Sequence, residues 1–368
     1  MSDAEAPGER RRTDRSAGPG EARGQLYAAL DLGTNNCRLL VATPVRQGFR
    51  VVDAYSRIVR LGEGLSQTGR LQPAAMDRAM EALKVCADRI RRRGAPQVRA
   101  IATQACRTAE NGPEFVDRVE RETGLKLQVI TPREEARLSV AGCIGLLDRR
   151  SHAALVVDVG GGSTELSWGE LDGEGGSSHG RMPPIRAWLS IPIGVVTLAE
   201  QFPEVRPGHQ AWFSEMVEAV KAPLGAFRHA DSMRPVFDRG QAHLIGTSGA
   251  ITSLAGLHLG LERYDRSRVD GLWLTMADCD ATAERLLDLD PAGRAAQPCI
   301  GPDRADLVLA GAAILRAVQE LWPCERVRVA DRGLREGLLL SLMSERGRRP
   351  RRRRRGGGQA VEPARGAA

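Results

Sequence analysis

The sequence predicts an α/β protein built as two related lobes that face each other across a cleft. Three observations carry this. First, Asp31-Leu32-Gly33-Thr34-Asn35-Asn36 and Asp158-Val159-Gly160-Gly161-Gly162-Ser163 share the order Asp, any residue, Gly, small polar turn, and stand 127 positions apart. Second, each follows an apolar run (26–30 and 153–157) and leads into another strand-like run, so a strand–loop–strand unit occurs twice. Third, strand-like and helix-like runs alternate along the chain, and 368 residues suffice for two ordinary domains.

The elements follow in order. After the first loop, Cys37–Thr43 and Arg50–Arg57 read as strands, and Gly62, Gly64 and Gly69 mark a loop. Pro73–Arg93 reads as a long helix, because Met76, Met80, Leu83, Ala87 and Ile90 recur at steps of four and three on one face. Val98–Thr103 is a strand. Asn111-Gly112-Pro113 opens a helix that Gly124 ends, and Lys126–Ile130 is a strand. Thr131-Pro132-Arg133-Glu134 has the form of a capping box, opening a helix through Leu138, Ile144 and Leu147. Beyond the second loop, Asp172–Gly180 is a Gly/Ser-rich hairpin tip. Ala187–Pro192 is a strand, Gln210–Phe227 a helix and His243–Ile245 a strand. Gly246-Thr247-Ser248-Gly249 then leads into a helix over Ala250–Leu259. Arg304–Leu321 is an apolar helix, Arg326–Ala330 a strand and Arg332–Ser344 the last helix.

Composition bounds the function. The net charge is +7, but residues 345–368 hold nine Arg and two Glu, so residues 1–344 are neutral. The Arg351–Arg355 run reads first as a solvated disordered tail and second as a tether for polyanions. Residues 1–24 read as a polar disordered leader. Aromatic residues make up 4% of the chain, which argues against a surface for stacking single-stranded nucleic acid. Seven single Cys without a C-x-x-C read as reduced buried thiols of a cytoplasmic protein. No apolar run reaches the length of a membrane span.

The three small-residue loops carry the chemistry. None is a Walker A loop, and Gly160-Gly161-Gly162 precedes a strand, unlike a dinucleotide fingerprint. Glycine lets successive amides turn inward onto phosphate oxygens. Gly33, Thr34, Asn35 and Asn36, then Gly160, Gly161, Gly162, Ser163 and Thr164, then Gly246, Thr247, Ser248 and Gly249 are therefore the expected phosphate-binding residues. The hydroxyls of Thr34, Ser163, Thr164, Thr247 and Ser248 are the expected extra donors. Gly246–Gly249 also sits at a helix N-terminus, where the dipole favours an anion. Asp31 and Asp158 end their strands. A carboxylate beside a phosphate is tolerable when a cation lies between them, which points to Mg²⁺ held by Asp158 together with Asp31 or Glu165. Hydrolysis needs a group to orient water. Glu134 has a capping role and Glu135 has none, so the base is assigned to Glu135, although spacing alone does not separate it from an ordinary first-turn carboxylate. Arg107 follows a strand and could clamp phosphate, though in so Arg-rich a chain a surface role is the default. Asp278, Asp280, Asp288 and Asp290 are placed on solvated helix faces or ends.

Taken together, these residues resemble the exopolyphosphatase/guanosine pentaphosphate phosphatase (Ppx/GppA) family of the actin-like ATPase superfamily, over about residues 25–344. The marks are Ala29–Asn35, Val59-Arg60-Leu61-Gly62-Glu63-Gly64, the Arg107 segment, Glu134-Glu135-Ala136-Arg137, Val157–Leu166, Ile191-Pro192-Ile193-Gly194, Gly246–Gly249 and Arg332–Gly337. The resemblance implies two ribonuclease-H-like lobes with an interlobe cleft. Lobe I would span 25–132, completed by helix 333–344, and lobe II 133–332. It implies Glu135 activating water, Arg107 on phosphate, Asp158 and Glu165 organising Mg²⁺, and a possible homodimer. It implies release of terminal orthophosphate from polyphosphate, or action on pppGpp. Asn36 replaces a Ser common in the family, and the longer members' C-terminal HD-type domain has no counterpart here. A (p)ppGpp sensor without turnover, and less so a phosphotransferase, are the rival readings; neither a specific nucleic-acid nor a membrane partner is expected.

Overall fold

A computed structural model describes residues 25–46, 48–173, 182–204 and 209–347. The leader, most of the Asp172–Gly180 tip and the Arg351–Arg355 run lie outside these residues. The first part of the chain forms β1 (Tyr27–Leu32), β2 (Asn36–Pro44), β3 (Phe49–Ile58), α1 (Leu65–Thr68), α2 (Pro73–Arg93), β4 (Gln97–Ala102), α3 (Gln104–Thr108), α4 (Gly112–Thr123), β5 (Leu127–Val129) and α5 (Pro132–Cys143). The second forms β6 (Ala153–Val159), β7 (Thr164–Glu170), β8 (Ile185–Ile191), α6 (Val195–Gln201), α7 (His209–Gly225), α8 (Arg234–Asp238), β9 (Ala242–Thr247), α9 (Gly249–His258), α10 (Arg266–Val269), β10 (Trp273–Thr275), α11 (Met276–Asp288), α12 (Pro291–Ala295), α13 (Val308–Leu321), β11 (Arg326–Ala330) and α14 (Leu334–Gly347).

The duplication seen in two loops extends to whole sheets. The first sheet has the order β3-β2-β1-β4-β5, with β1–β2–β3 antiparallel and β4 and β5 added in parallel. The second has the order β8-β7-β6-β9-β11 with the same directions, plus β10 antiparallel at its edge. This is the expected ribonuclease-H-like arrangement, made twice.

Strand alternation then aims the aspartates. In β1, Ala28, Leu30 and Leu32 enter the core under α2, while Tyr27 and Ala29 face the core shared with α5 and α14. Asp31 falls on that second face. In β6, Leu155, Val157 and Val159 enter the large second core, while Ala154 and Val156 pack with Val140 and Cys143 of α5. Asp158 falls on the α5 side as well. One helix thus covers the face from which both aspartates project.

That helix crosses α14 at backbone contact. A Cβ on Gly142 would lie 1.9 Å from the Gly333 carbonyl oxygen, and one on Gly337 would lie 1.9 Å from the Leu138 carbonyl oxygen. Only glycine permits the approach. It brings α14, which packs on β1, β2 and β4, against α5, which also packs on β6, β7 and β8.

Several local expectations need correction. Thr131 does cap α5, its side chain accepting from the Glu134 amide at 3.2 Å, but the Glu134 carboxylate pairs with Arg99 instead of closing the box. α5 ends at Cys143 and a 3₁₀ turn follows, short of Leu147. Residues 304–307 form turns, and α13 begins only at Val308. The last helix runs to Gly347, into the stretch expected as tail. All seven Cys are free and buried, and among the described residues no helix is long and apolar enough to cross a membrane.

Substituting Gly337 by Ala drives a methyl group into a carbonyl held by another helix. Urea unfolding is expected to show a loss of about 3 kcal/mol, as overpacking against rigid backbone does. Ala at Gly94, where an added Cβ meets nothing within 4 Å but φ is +64°, is expected to cost nearer 1 kcal/mol.

Candidate active site

The two hairpins β1–β2 and β6–β7 close their turns with the same hydrogen bond. Gly33 N–H donates to Asn36 O at 2.8 Å, and Gly160 N–H donates to Ser163 O at 2.9 Å. Asp31 stands opposite Arg38 in register, and Asp158 stands opposite Glu165. The loops meet across the lobes. A Cβ on Gly161 would come within 3.0 Å of Asn35, and one on Gly162 within 2.0 Å of the Gln104 carboxamide and 2.9 Å of Thr34 Oγ1. Here glycine is needed for close approach rather than for a positive φ.

Between the loops and α5 lies a cleft of ≈ 420 Å³. Asp31, Gly33, Thr34, Asn35, Asn36, Glu135, Asp158, Gly160, Gly161, Gly162, Ser163, Glu165, Thr247, Ser248 and Gly249 all line it. Three expected residues do not. Thr164 is fully buried and its hydroxyl donates to Ile193 O at 2.7 Å. Gly246 lies inside β9, where a Cβ would meet Ile251 and Val327. Arg107 stands behind Glu135, its Nη1 3.2 Å from Glu135 Oε2 and 2.8 Å from Ile130 O.

The hydroxyls are mostly spent on the protein. Thr34 Oγ1 donates to Gln104 Oε1 at 3.0 Å, Ser163 Oγ to Glu165 Oε1 at 2.8 Å and Thr247 Oγ1 to Arg332 O at 2.8 Å. Ser248 differs. It holds φ +130°, uncommon for a residue with a side chain, and its Oγ accepts from Ala250 N, leaving its proton to donate. Among the described residues, no protein group accepts from the Gly161 and Gly162 amides.

Burial shifts four carboxyl groups at this place. Burial raises Asp31 to about 6, opposed by Arg38 and Arg335. Burial likewise raises Asp158, opposed by a hydrogen bond from Ser139 of α5. It raises Glu165 to about 7, with Asp158 adding and the hydroxyls of Ser163 and Ser190 subtracting. Glu135 lies well above the ordinary carboxylate range, through burial first and the nearby Glu165 second, while Arg107 pulls it down.

Among the described residues, no group of three or more His, Cys, Asp and Glu side chains is gathered closely enough to hold a metal ion. The donor set nevertheless fits a hard cation that keeps water and takes phosphate oxygens. Asp31 Oδ1 and Asn35 Oδ1 are buried with no hydrogen-bond partner. Glu165 suits it less, since two hydroxyls already donate to its Oε1.

Sequence reasoning did not anticipate Arg38, Arg304, Arg332, Arg335 and Glu336, which also line the cleft. Arg38 was within reach, because the 127-residue offset sets it against Glu165. The 332–336 turn enters only through the α5–α14 crossing, with Gly333 N–H donating to the buried Glu336 Oε2 at 2.9 Å.

A family profile described as the Ppx/GppA phosphatase family matches residues 40–346. Exopolyphosphatase 2 of Mycobacterium tuberculosis is 31% identical over 328 residues, which is 86% of this chain and 98% of that protein. Among solved structures, the Aquifex aeolicus Ppx/GppA family member aligns with a TM-score of 0.71 at 29% identity, over 88% of this chain and 98% of its own. A protein described as exopolyphosphatase-like aligns with a TM-score of 0.75 at 32% identity, over 87% and 99%.

The buried carboxyls link stability to pH. Asp31 has its ordinary value of 3.8 in the unfolded chain and about 6 in the folded one. Between those values the folded chain binds the proton more tightly, so stability falls as pH rises through that window and the penalty is complete above it. Asp31→Asn removes the penalty. Relative to the wild type, the variant is expected to gain about 3 kcal/mol on going from pH 4 to pH 8, read as denaturant midpoints. No pH dependence of that difference would show the carboxyl to be solvated.

Proposed function

The chain belongs to the Ppx/GppA phosphatase family, and from that premise we propose that it hydrolyses the terminal phosphoanhydride bond of inorganic polyphosphate and releases orthophosphate. One observation carries the reading. A buried glutamate, Glu135, oriented by Arg107, faces the same cleft as two opposed glycine loops.

The amides of Gly161 and Gly162, the Ser248 hydroxyl and the Arg38 guanidinium receive the oxygens of the terminal phosphates. Glu135 accepts a hydrogen bond from a water molecule and takes its proton as the water oxygen bonds to phosphorus. The bridging P–O bond breaks in line, leaving orthophosphate and a chain one unit shorter. A carboxyl raised by burial is a stronger proton acceptor once ionised, and cationic company restores its ionised form. Asp31 and Asp158 would hold Mg²⁺ with water, and the ion would supply charge neutralisation for the phosphate oxygens. Arg107 fixes Glu135 and favours its ionised form against burial.

The same terminal anhydride is presented by pppGpp. Tyr264 also lines the cleft and offers a ring beside which a nucleoside could lie, so this second substrate is carried as an alternative.

Purified chain with Mg²⁺ is expected to release orthophosphate from polyphosphate, and Glu135→Gln to lose about 10²–10⁴ of that rate with binding kept. Release from neither polyphosphate nor pppGpp, with tight binding of either, would replace hydrolysis by sensing. Wild-type activity in the glutamine variant would remove Glu135 from its role. Separately, millimolar Mg²⁺ is expected to raise the melting temperature at pH 8, and Asp158→Asn to abolish the rise, as binding linkage requires.

A further inference from the structure

The lobes are joined a second time, away from the catalytic carboxyls. Arg60 Nη1 lies 2.8 Å from Asp306 Oδ2, and its Nη2 lies 3.0 Å from Asp306 Oδ1 and 3.1 Å from Asp303 O. Beside it, both carboxylate oxygens of Glu200 on α6 are used. Gly64 N–H donates to one at 2.9 Å and Ser66 Oγ to the other at 2.6 Å, at the start of α1. These contacts bridge residues 60–66 of the first lobe to α6 and the turn before α13 in the second.

The segment that reaches across also holds the first glycine loop. Val59 and Arg60 N–H both donate to Asn35 O, at 2.8 and 3.1 Å, and Gly62 N–H donates to Thr34 O at 2.9 Å. Arg60 holds φ +47°, a conformation uncommon outside glycine, so its backbone is set by these bonds and not by its own preference. On the other side, Leu307 follows Asp306 directly and lines the main cleft. A cavity of ≈ 260 Å³ lies beside these contacts; Arg60 and Glu63 line it from the first lobe, and Phe202, Trp212, Glu200 and Asp306 are among its lining from the second. The contacts that cross the rim at this place are the polar ones just given.

We propose that Arg60 is a positioning residue for the reaction inferred above: through Asp306, and with Glu200 beside it, it holds the Thr34–Asn35 loop against Gly161–Gly162. The ligand-competent cleft is then a population set by a salt-sensitive clasp. The role rests on the hydrolase reading for its purpose, but not for its test.

The test is amide hydrogen exchange on the full chain without substrate, read at Thr34–Asn36 and Gly160–Ser163 against Leu155–Val157 in the core. Arg60→Asn removes the guanidinium while tolerating the positive φ, and Asp306→Asn acts from the opposite lobe. Each is expected to speed loop exchange about threefold, and Arg60→Asn with Glu200→Ala about tenfold, with the core unchanged. Glu200→Gln keeps an acceptor for Gly64 and a donor for Ser66, so it is expected to rescue what Glu200→Ala loses. In wild type, added salt mimics the variants; in Arg60→Asn it adds little. With polyphosphate, the double variant is expected to raise KM about twofold or more at similar kcat. Unchanged loop exchange in both Arg60→Asn and Asp306→Asn, or a glutamine variant as damaged as the alanine one, overturns the clasp. The exchange result stands whether or not polyphosphate is hydrolysed, so failure of the one reading does not pass for failure of the other. Should Arg60→Asn misfold, faster core exchange reveals it, and the Asp306 and Glu200 variants carry the same test from the second lobe.

Discussion

Negative charge under burial is the constraint around which this molecule is arranged. Asp31, Glu135, Asp158 and Glu165 are taken out of water at one place, and each is pushed toward its neutral form. The surroundings answer with hydroxyls on Asp158 and Glu165, a guanidinium on Glu135, and Arg38 and Arg335 acting on Asp31. They do not answer completely, since Asp31 Oδ1 has no hydrogen-bond partner. A cleft with this residual deficit of positive charge is suited to a ligand that brings its own cation, and unsuited to a bare anion.

Beside these carboxyls two helices meet without side chains between them. α5 carries Glu135 and Ser139, and α14 carries Glu336 and, just before its start, Gly333. Their contact at Gly142, Gly333 and Gly337 leaves no room for a Cβ. It holds α5, with Glu135 and Ser139, against the faces of β1 and β6 that carry the two aspartates. Stability and chemistry therefore share one set of glycines.

Much of this was legible in the residues. The helix over Pro73–Arg93 has the predicted bounds, because its apolar face is regular and Gly94 takes the left-handed cap. The duplicated Asp-x-Gly turns announced two sheets with one topology, and the hydrogen bonds in both turns agree. Local signals failed where a distant partner competed. Glu134 abandons its cap for Arg99, and Asp306 pairs with Arg60, 246 positions away, ahead of a helix that starts only at Val308. Thr34, Ser163 and Thr247 have the right chemistry for phosphate, yet their hydroxyls are taken by neighbours no pattern of spacing reveals. From Asp265 to Ala295 the reading put Asp278, Asp280, Asp288 and Asp290 on helix faces or ends but bounded no element, although Thr275 and Asp278 form a reciprocal capping box that opens α11. The elevated carboxyl values depend on burial from both lobes and have no local signature at all.

Among the differences between the matched hairpins, one falls opposite the aspartate itself: Arg38 stands across from Asp31 where Glu165 stands across from Asp158. Two identical subunits related by a twofold axis would have to present the same side chain at both places, and so would double whichever sign they carried. Halves that share one polypeptide are released from that rule. Covalent fusion is what allows this pseudo-symmetric pair to be electrically polar from one half to the other, with Glu165 on one side and Arg38 on its counterpart.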